Sequence, residues 1–145
     1  MDEVLIRKLK IEDTDDVTRI HKAIIQSPVK IDFNRVIEEL AGKDEDAGFA
    51  AEIQGKVVGF MVSYMVSGGF GTENSAWIAL VGVDTKRMGQ GIGNMLAKEI
   101  FQFYKKRDIK NIYTSVRWDS TDLLSFFKTL GFDRSNFINL RKKLE

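Results

Sequence analysis

Residues 87–93 read Arg-Met-Gly-Gln-Gly-Ile-Gly, between an apolar run that closes in Val81-Gly82-Val83 and a helical pattern that opens near Ile92. Glycine loses more backbone freedom on folding than any other residue, so this cluster needs a compensating gain. A strand followed by a glycine turn and a helix start leaves unpaired N–H groups facing one point. Glycine there permits positive φ and a close approach of the main chain to oxygen atoms, which is the chemistry of an anion or phosphate cradle. Two familiar nucleotide loops fit poorly. The spacing is Gly-x-Gly-x-Gly rather than Gly-x-Gly-x-x-Gly, and Asn94 follows Gly93 where a P-loop carries lysine. A glycine-rich connector without a ligand is the alternative on this stretch alone.

Few other residues offer chemistry. The 145 residues contain no cysteine and one histidine, which excludes a disulfide framework, a thiolate nucleophile, a sulfur-based zinc site and a multi-histidine metal centre. No metal is expected. His21 lies on the apolar side of a helical pattern, either as a packing histidine bonded to a backbone carbonyl or as a substrate-facing base. The acids of Glu12-Asp13-Thr14-Asp15-Asp16 read as helix caps and dipole partners rather than as a site. With 22 basic and 21 acidic residues the net charge is +1, which gives no field to gather nucleic acid or an anionic membrane. The first residues carry no basic leader, and no segment approaches the roughly 20 apolar residues of a membrane span. A cytoplasmic protein with neither nucleic-acid nor membrane partners is expected.

The elements that must position the turn follow from periodicity. Val4 to Lys10 alternates as a strand, and Val17, Ile20, His21 and Ile24 form one face of a helix that stops before Pro28. Asp32 or Asn34 caps a second short helix carrying Val36, Ile37 and Leu40, with Gly42 at its end. Ala47–Ile53 and Lys56–Val66, separated by Gln54-Gly55, predict a tight antiparallel hairpin. Residues 67–74 are a flexible connection. Ala76–Val83 is an almost wholly apolar strand, predicted to be central and covered on both faces. Ile92 onward is an amphipathic helix of about four turns, followed by a strand over Asn111–Arg117. Ser120-Thr121-Asp122 opens a last helix that Gly131 closes, and Phe132–Leu144 holds two more strand candidates. Without a linker or internal repeat, residues 1–145 read as a single mixed α/β domain.

Val83-Asp84-Thr85-Lys86-Arg87-Met88-Gly89-Gln90-Gly91-Ile92-Gly93 resembles the phosphate loop of the GNAT family of N-acetyltransferases, V-x-P-x-x-[QR]-x-x-G-x-[GA]. The resemblance covers most of the chain. It includes Ile6-Arg7-Lys8-Leu9 with its two following helices, the hairpin ending in Val57-Val58-Gly59-Phe60, and Phe126-Phe127-Lys128-Thr129-Leu130-Gly131-Phe132, which is similar to the family's closing Y-x-x-x-G-F. It implies a mostly antiparallel central sheet with splayed strands and about four helices. It also implies acetyl-CoA as co-substrate, its pyrophosphate held by the amides of Met88, Gly89, Gln90, Gly91, Ile92 and Gly93, and its pantetheine by free backbone groups around Val81, Gly82 and Val83. The thioester would lie between that strand and the Ile112–Val116 strand, near Ser120 and Phe127. A neutral amine of a small molecule or peptide would attack it directly.

The pattern is broken in places. Met88 replaces the family's Gln or Arg, and Phe127 stands where a tyrosine commonly protonates the departing thiolate. Ser120 occupies the approximate place of an asparagine, with N-capping as the simpler role. For a base, the candidates are Glu73, His21 or a water chain. Arg117, Trp118 and Asp119 either line the acceptor groove or, for Trp118, pack beside the helix start. These gaps leave a non-catalytic acyl-CoA sensor or scaffold of the same fold as the alternative. Pairing of the last strands between two copies would give a homodimer.

Overall fold

The computed structural model describes residues 3–25, 30–68 and 73–145. Pro28 and residues 69–72 of the predicted connection lie outside them. The chain divides into two compact units, Met1–Tyr113 and Thr114–Glu145, each with its own packing.

In the first unit the elements run β1 (Val4–Lys8), α1 (Thr14–Ile24), α2 (Phe33–Ala41), β2 (Ala47–Ile53), β3 (Lys56–Val66), β4 (Ser75–Val83) and α3 (Ile92–Lys105), followed by β5 (Ile112–Thr114), whose last residue begins the second unit. Asp32 caps α2, accepting from Arg35 N–H at 3.2 Å. Gln54 and Gly55 both take positive φ, 51° and 79°, the conformation of a two-residue turn whose twist matches the strands it joins. The open sheet has the order β1-β2-β3-β4-β5, and the first four strands pair antiparallel with their chain neighbours.

Each face of the sheet carries helices. On one face α1 and α2 pack Val17, Ile20 and Phe33 against Ala50, Val57, Phe60 and Val62. On the other, Ile92, Leu96, Ile100 and Tyr104 of α3 are buried. The Tyr104 hydroxyl lies 2.9 Å from Ser63 Oγ, which donates to Ala47 C=O at 2.7 Å. That bond satisfies the fully buried serine at the centre of the sheet. At the edge, Arg7 bonds both oxygens of buried Asp13 at 2.8 Å and Glu52 at 2.8 Å. The acids predicted as helix-dipole partners thus include one that ties β1 to the start of α1.

Two expectations for the sheet need correction. Ala76–Val83 does lie inside the sheet, but Ala79 is exposed and Leu80, Val81 and Val83 are half-buried, so the strand is not covered on both faces throughout. The fifth strand is three residues long rather than seven, because the main chain leaves the ladder after Thr114.

In the second unit, α4 (Thr121–Thr129) ends as predicted, with Gly131 at φ 93° and Phe132 N–H bonded to Phe127 C=O at 3.1 Å. Phe127 is buried between Phe126 and Phe132, each 5.1 Å away edge-to-face. The strand candidates of Phe132–Leu144 do not form. That segment has no regular structure, and Ile138, Leu140 and Leu144 are largely exposed.

One glycine sets how closely α1 can approach the sheet. A Cβ at Gly82 would stand 2.6 Å from the buried Phe60 ring and 3.2 Å from Ile20. Gly82→Ala is expected to destabilise the protein by about 1–3 kcal/mol through overpacking. Urea unfolding checks this, and a midpoint unchanged from wild type would refute it.

Candidate functional site

Two glycines of the turn take positive φ. After β4, Thr85–Arg87 make one short turn of 3-10 helix capped by Asp84, whose carboxylate accepts from Lys86 N–H at 3.0 Å. Gly89 and Gly91 both sit at φ 81°, and Gly91 is the N-cap of α3. A Cβ at either would meet nothing within 4 Å, so glycine is needed there for conformation and not for space. The first bond of α3 runs from Met95 N–H to Gly91 C=O at 3.1 Å. The amides of Ile92, Gly93 and Asn94 are therefore first-turn donors with no intrahelical partner, at the positive end of a 14-residue helix. Met88 is extended and half-exposed, and Gln90 is exposed.

Asp84 anchors this turn, which sequence reasoning missed. Its N–H bonds Val58 C=O at 2.8 Å, its C=O accepts from Arg87 N–H, and its carboxylate pairs with Arg19 of α1 at 3.2 Å. The Lys86 amide, helped by Arg19, holds the carboxyl below the usual carboxylate range. An acid directly before a short turn is a capping signal, and it was available in the sequence.

The Asp84–Val58 bond also orients β4. In an antiparallel ladder, bonded and non-bonded pairs alternate. Gly82 opposite Phe60 and Leu80 opposite Val62 fall on the same parity as Asp84, whereas Val81 and Val83 fall between. The N–H and C=O groups of Val81 and Val83 consequently point away from β3, toward the β5 side. There, Ala76 N–H bonds Asn111 C=O at 3.0 Å, next to a β5 only three residues long. From Ala76 to Val83 the chain runs about 23 Å at ~3.3 Å per residue, so β5 cannot pair along all of it.

A β-bulge interrupts β4 between these halves. Val62 pairs with Leu80 and Ser63 with Ile78, which leaves Ala79 as the extra residue. Strict alternation would put Trp77 on the α3 face beside Val81 and Val83. The bulge turns it over, so that Trp77 opposes Tyr64, which packs with Leu80 on the α1/α2 face.

The reactive candidates are scattered. His21 is buried, its Nε2 has no hydrogen-bond partner, and its ring stands edge-on to Phe33 at 5.1 Å. It is thus neither a packing histidine bonded to a backbone carbonyl through Nε2 nor open to a substrate there. Glu73 is exposed just before β4, and its C=O accepts from Ser75 Oγ at 3.0 Å. In the second unit, Ser120 is the N-cap of α4 by position, but its side chain makes no capping bond. Arg117 and Asp119 form a two-bond pair at 3.0 Å, and Trp118 is 86% exposed rather than packed. Among the described residues no group of three or more His, Asp or Glu is arranged to hold a metal, and no helix is long and apolar enough to cross a membrane.

Comparison with known proteins agrees with this fold. Residues 14–132 match the model of the acetyltransferase (GNAT) family. A mycothiol acetyltransferase of Amycolatopsis mediterranei is 30% identical over 131 residues, 85% of this chain and 44% of that protein. The chain thus spans less than half the length of this curated relative. Among solved structures, an aminoglycoside N-acetyltransferase AAC(6')-Iy in complex with CoA superposes with a TM-score of 0.83 at 14% identity, covering 99% of this chain and 96% of that one. An aminoglycoside acetyltransferase from an uncultured soil metagenomic sample, in complex with sisomicin, gives 0.80 at 20% identity over 98% and 97%. At such identities the likeness is one of fold.

Burial holds the His21 pKa below its ordinary value. A folded-state pKa below the unfolded one means that the unfolded chain binds the extra proton. Stability is then fully present above about pH 6.5 and falls as pH drops toward the folded pKa. Urea midpoints at pH 7.5 and 5.5 are expected to fall more for wild type than for His21→Leu, and equal losses would remove His21 as the cause.

Proposed function

The chain belongs to the acetyltransferase (GNAT) family, and we propose that it moves an acetyl group from acetyl-CoA to a primary amine of a small molecule or peptide by direct attack. The observation that carries this reading is the pair Gly89 and Gly91 at positive φ immediately before the free first-turn amides of α3. That arrangement fits a pyrophosphate, since nothing stands within 4 Å of the Cβ positions of Gly89 and Gly91 and the helix dipole favours negative charge. Arg87 stands beside it, and Met88 takes the place of the family's polar residue. The amides would do most of the holding.

The free main-chain groups of Val83 and Val81 would bond the pantetheine amides, leading the arm back along β4. From Val83 to Ala79 is about 13 Å at ~3.3 Å per residue, which brings the thioester to the bulge. Bound acetyl-CoA supplies the activated carbonyl that the amine attacks. A main-chain N–H on the β5 side of β4 would stabilise the negative charge developing on the carbonyl oxygen. His21 Nε2 is buried without a hydrogen-bond partner, and Glu73 stands exposed just before β4, so neither is needed as the base. Water leading to bulk solvent would serve an amine of modest pKa. Position 127 carries phenylalanine where the family resemblance calls for a tyrosine hydroxyl, so the proton for the departing thiolate would also come from water. The same two observations favour, as a second reading, an acyl-CoA sensor that does not turn over.

Thermal unfolding with acetyl-CoA, and with ATP and NAD as controls, tests the site. Saturation at 100 times Kd adds about 2.7 kcal/mol, a rise of several degrees for a chain of this size. The rise is expected with acetyl-CoA alone and should shrink in Gly91→Val, which cannot hold φ 81° without strain. No rise would withdraw the reading. A rise without release of CoA thiol across a broad amine panel would favour the sensor.

A further inference from the structure

The bulge in β4 brings three aromatic side chains into a strip across three strands of the first unit. Trp77 and Tyr64 are register partners on β4 and β3, so their side chains share a face. Tyr113 of β5 stacks on Trp77, with ring centroids 6.3 Å apart and planes 30° from parallel. All three residues are half-buried, so each ring combines a packed body with an accessible part. Leu80, one residue beyond the bulge, extends the same face. Measured along β4, Trp77 lies roughly 7 Å before Ala79 at ~3.3 Å per residue, on the far side of the bulge from the phosphate turn.

Two carboxylates act on Tyr64 at one end of the strip. Asp46 is fixed at its border by Met65 N–H, which donates to Oδ1 at 2.8 Å. Glu39 of α2 adds a second carboxylate and pairs with Arg35 at 3.2 Å. Burial and then the charges of Glu39 and Asp46 push the Tyr64 phenol above its usual pKa, so both carboxylates are felt at the Tyr64 hydroxyl. Aromatic faces attract cations through their quadrupole, most strongly for tryptophan, and nearby carboxylates add to that attraction. A neutral apolar partner would gain nothing from the carboxylates, and an anion would be repelled.

We propose that Tyr64, Trp77 and Tyr113, with Asp46 and Glu39, receive a second, cationic group of the acceptor, so that the amines acetylated by this chain carry at least one further positive charge. The inference rests on the acetyl-transfer reading and names the substrate class of that same site. The reacting nitrogen must be neutral to attack at the bulge. The charged group docks a few carbon atoms away on Trp77, and Trp77 is the residue that determines specificity.

Two matched substrates test this: aminopentyl-trimethylammonium, and its tert-butyl isostere of the same shape without the charge. The ratio of their kcat/KM values cancels any general loss of activity in a variant. Wild type is expected to favour the cation by about fivefold to tenfold, mainly through KM. Trp77→Leu and Asp46→Asn should each bring the ratio toward one, and Trp77→Tyr should retain most of it. A ratio near one in wild type, or a preference that survives Trp77→Leu, overturns the proposal. Binding of phenyltrimethylammonium, followed by quenching of tryptophan fluorescence in a Trp118→Phe background, separates the two readings. Saturable quenching without release of CoA thiol from either amine or across the broad panel would support the cation site and sink acetyl transfer. Turnover without quenching and without preference would sink the cation site alone.

Discussion

The pairing of β3 with β4 is the constraint on which the rest of the molecule depends. Once Asp84 N–H bonds Val58 C=O, the alternation of an antiparallel ladder decides which main-chain groups of β4 are used inside the sheet and which face outward. Gly82 and Leu80 are committed to β3, while Val81 and Val83 are left available. The same contact fixes where β4 ends. Asp84 caps the following turn and pairs with Arg19, so the glycine segment leaves the sheet at a set point before Gly91 starts α3. A one-residue slip would exchange used and free groups along the whole strand.

Close approach on both faces supports that pairing. Gly82 admits the Phe60 ring under α1, and Gly59 admits Ile92 and Leu96 of α3, whose atoms would lie 3.0–3.4 Å from an added Cβ. His21 belongs to this packing through Phe33, which in turn meets Phe60 edge-on at 5.6 Å. Most strong ion pairs of the first unit serve architecture. Burial opposes ionisation of Asp13, but the Arg7 guanidinium and the Lys10 amide outweigh it and hold the carboxyl below its usual range. Asp46, held by Met65 N–H, and Glu39, paired with Arg35, also bear on the Tyr64 hydroxyl.

Much of this was legible from residue type and spacing. The hairpin Ala47–Ile53 and Lys56–Val66 follows from two apolar runs and a Gln-Gly turn, both of whose residues must take positive φ. The helix from Ile92 and the closing Gly131 follow from local rules of periodicity and capping. The glycine turn and the GNAT likeness were readable for the same reason, since phosphate binding by main-chain amides leaves its mark in glycine positions. The Phe132–Leu144 strands and the long fifth strand were not. Strand pairing depends on a partner that the local sequence does not name.

The sequence by itself determined the hairpin, the helices, their order and the glycine turn at positive φ, because these rest on preferences that act within a few residues. Tertiary structure alone decided what faces what. Alternation in Ala76-Trp77-Ile78-Ala79-Leu80 puts Trp77 opposite Leu80 in facing, and only the unpaired Ala79 brings both to one side. Likewise, nothing in a helical face tells whether His21 will find a partner for Nε2 or stand unpaired against Phe33. Register, bulges and buried contacts depend on residues far apart in the chain, and so are settled only when those residues meet.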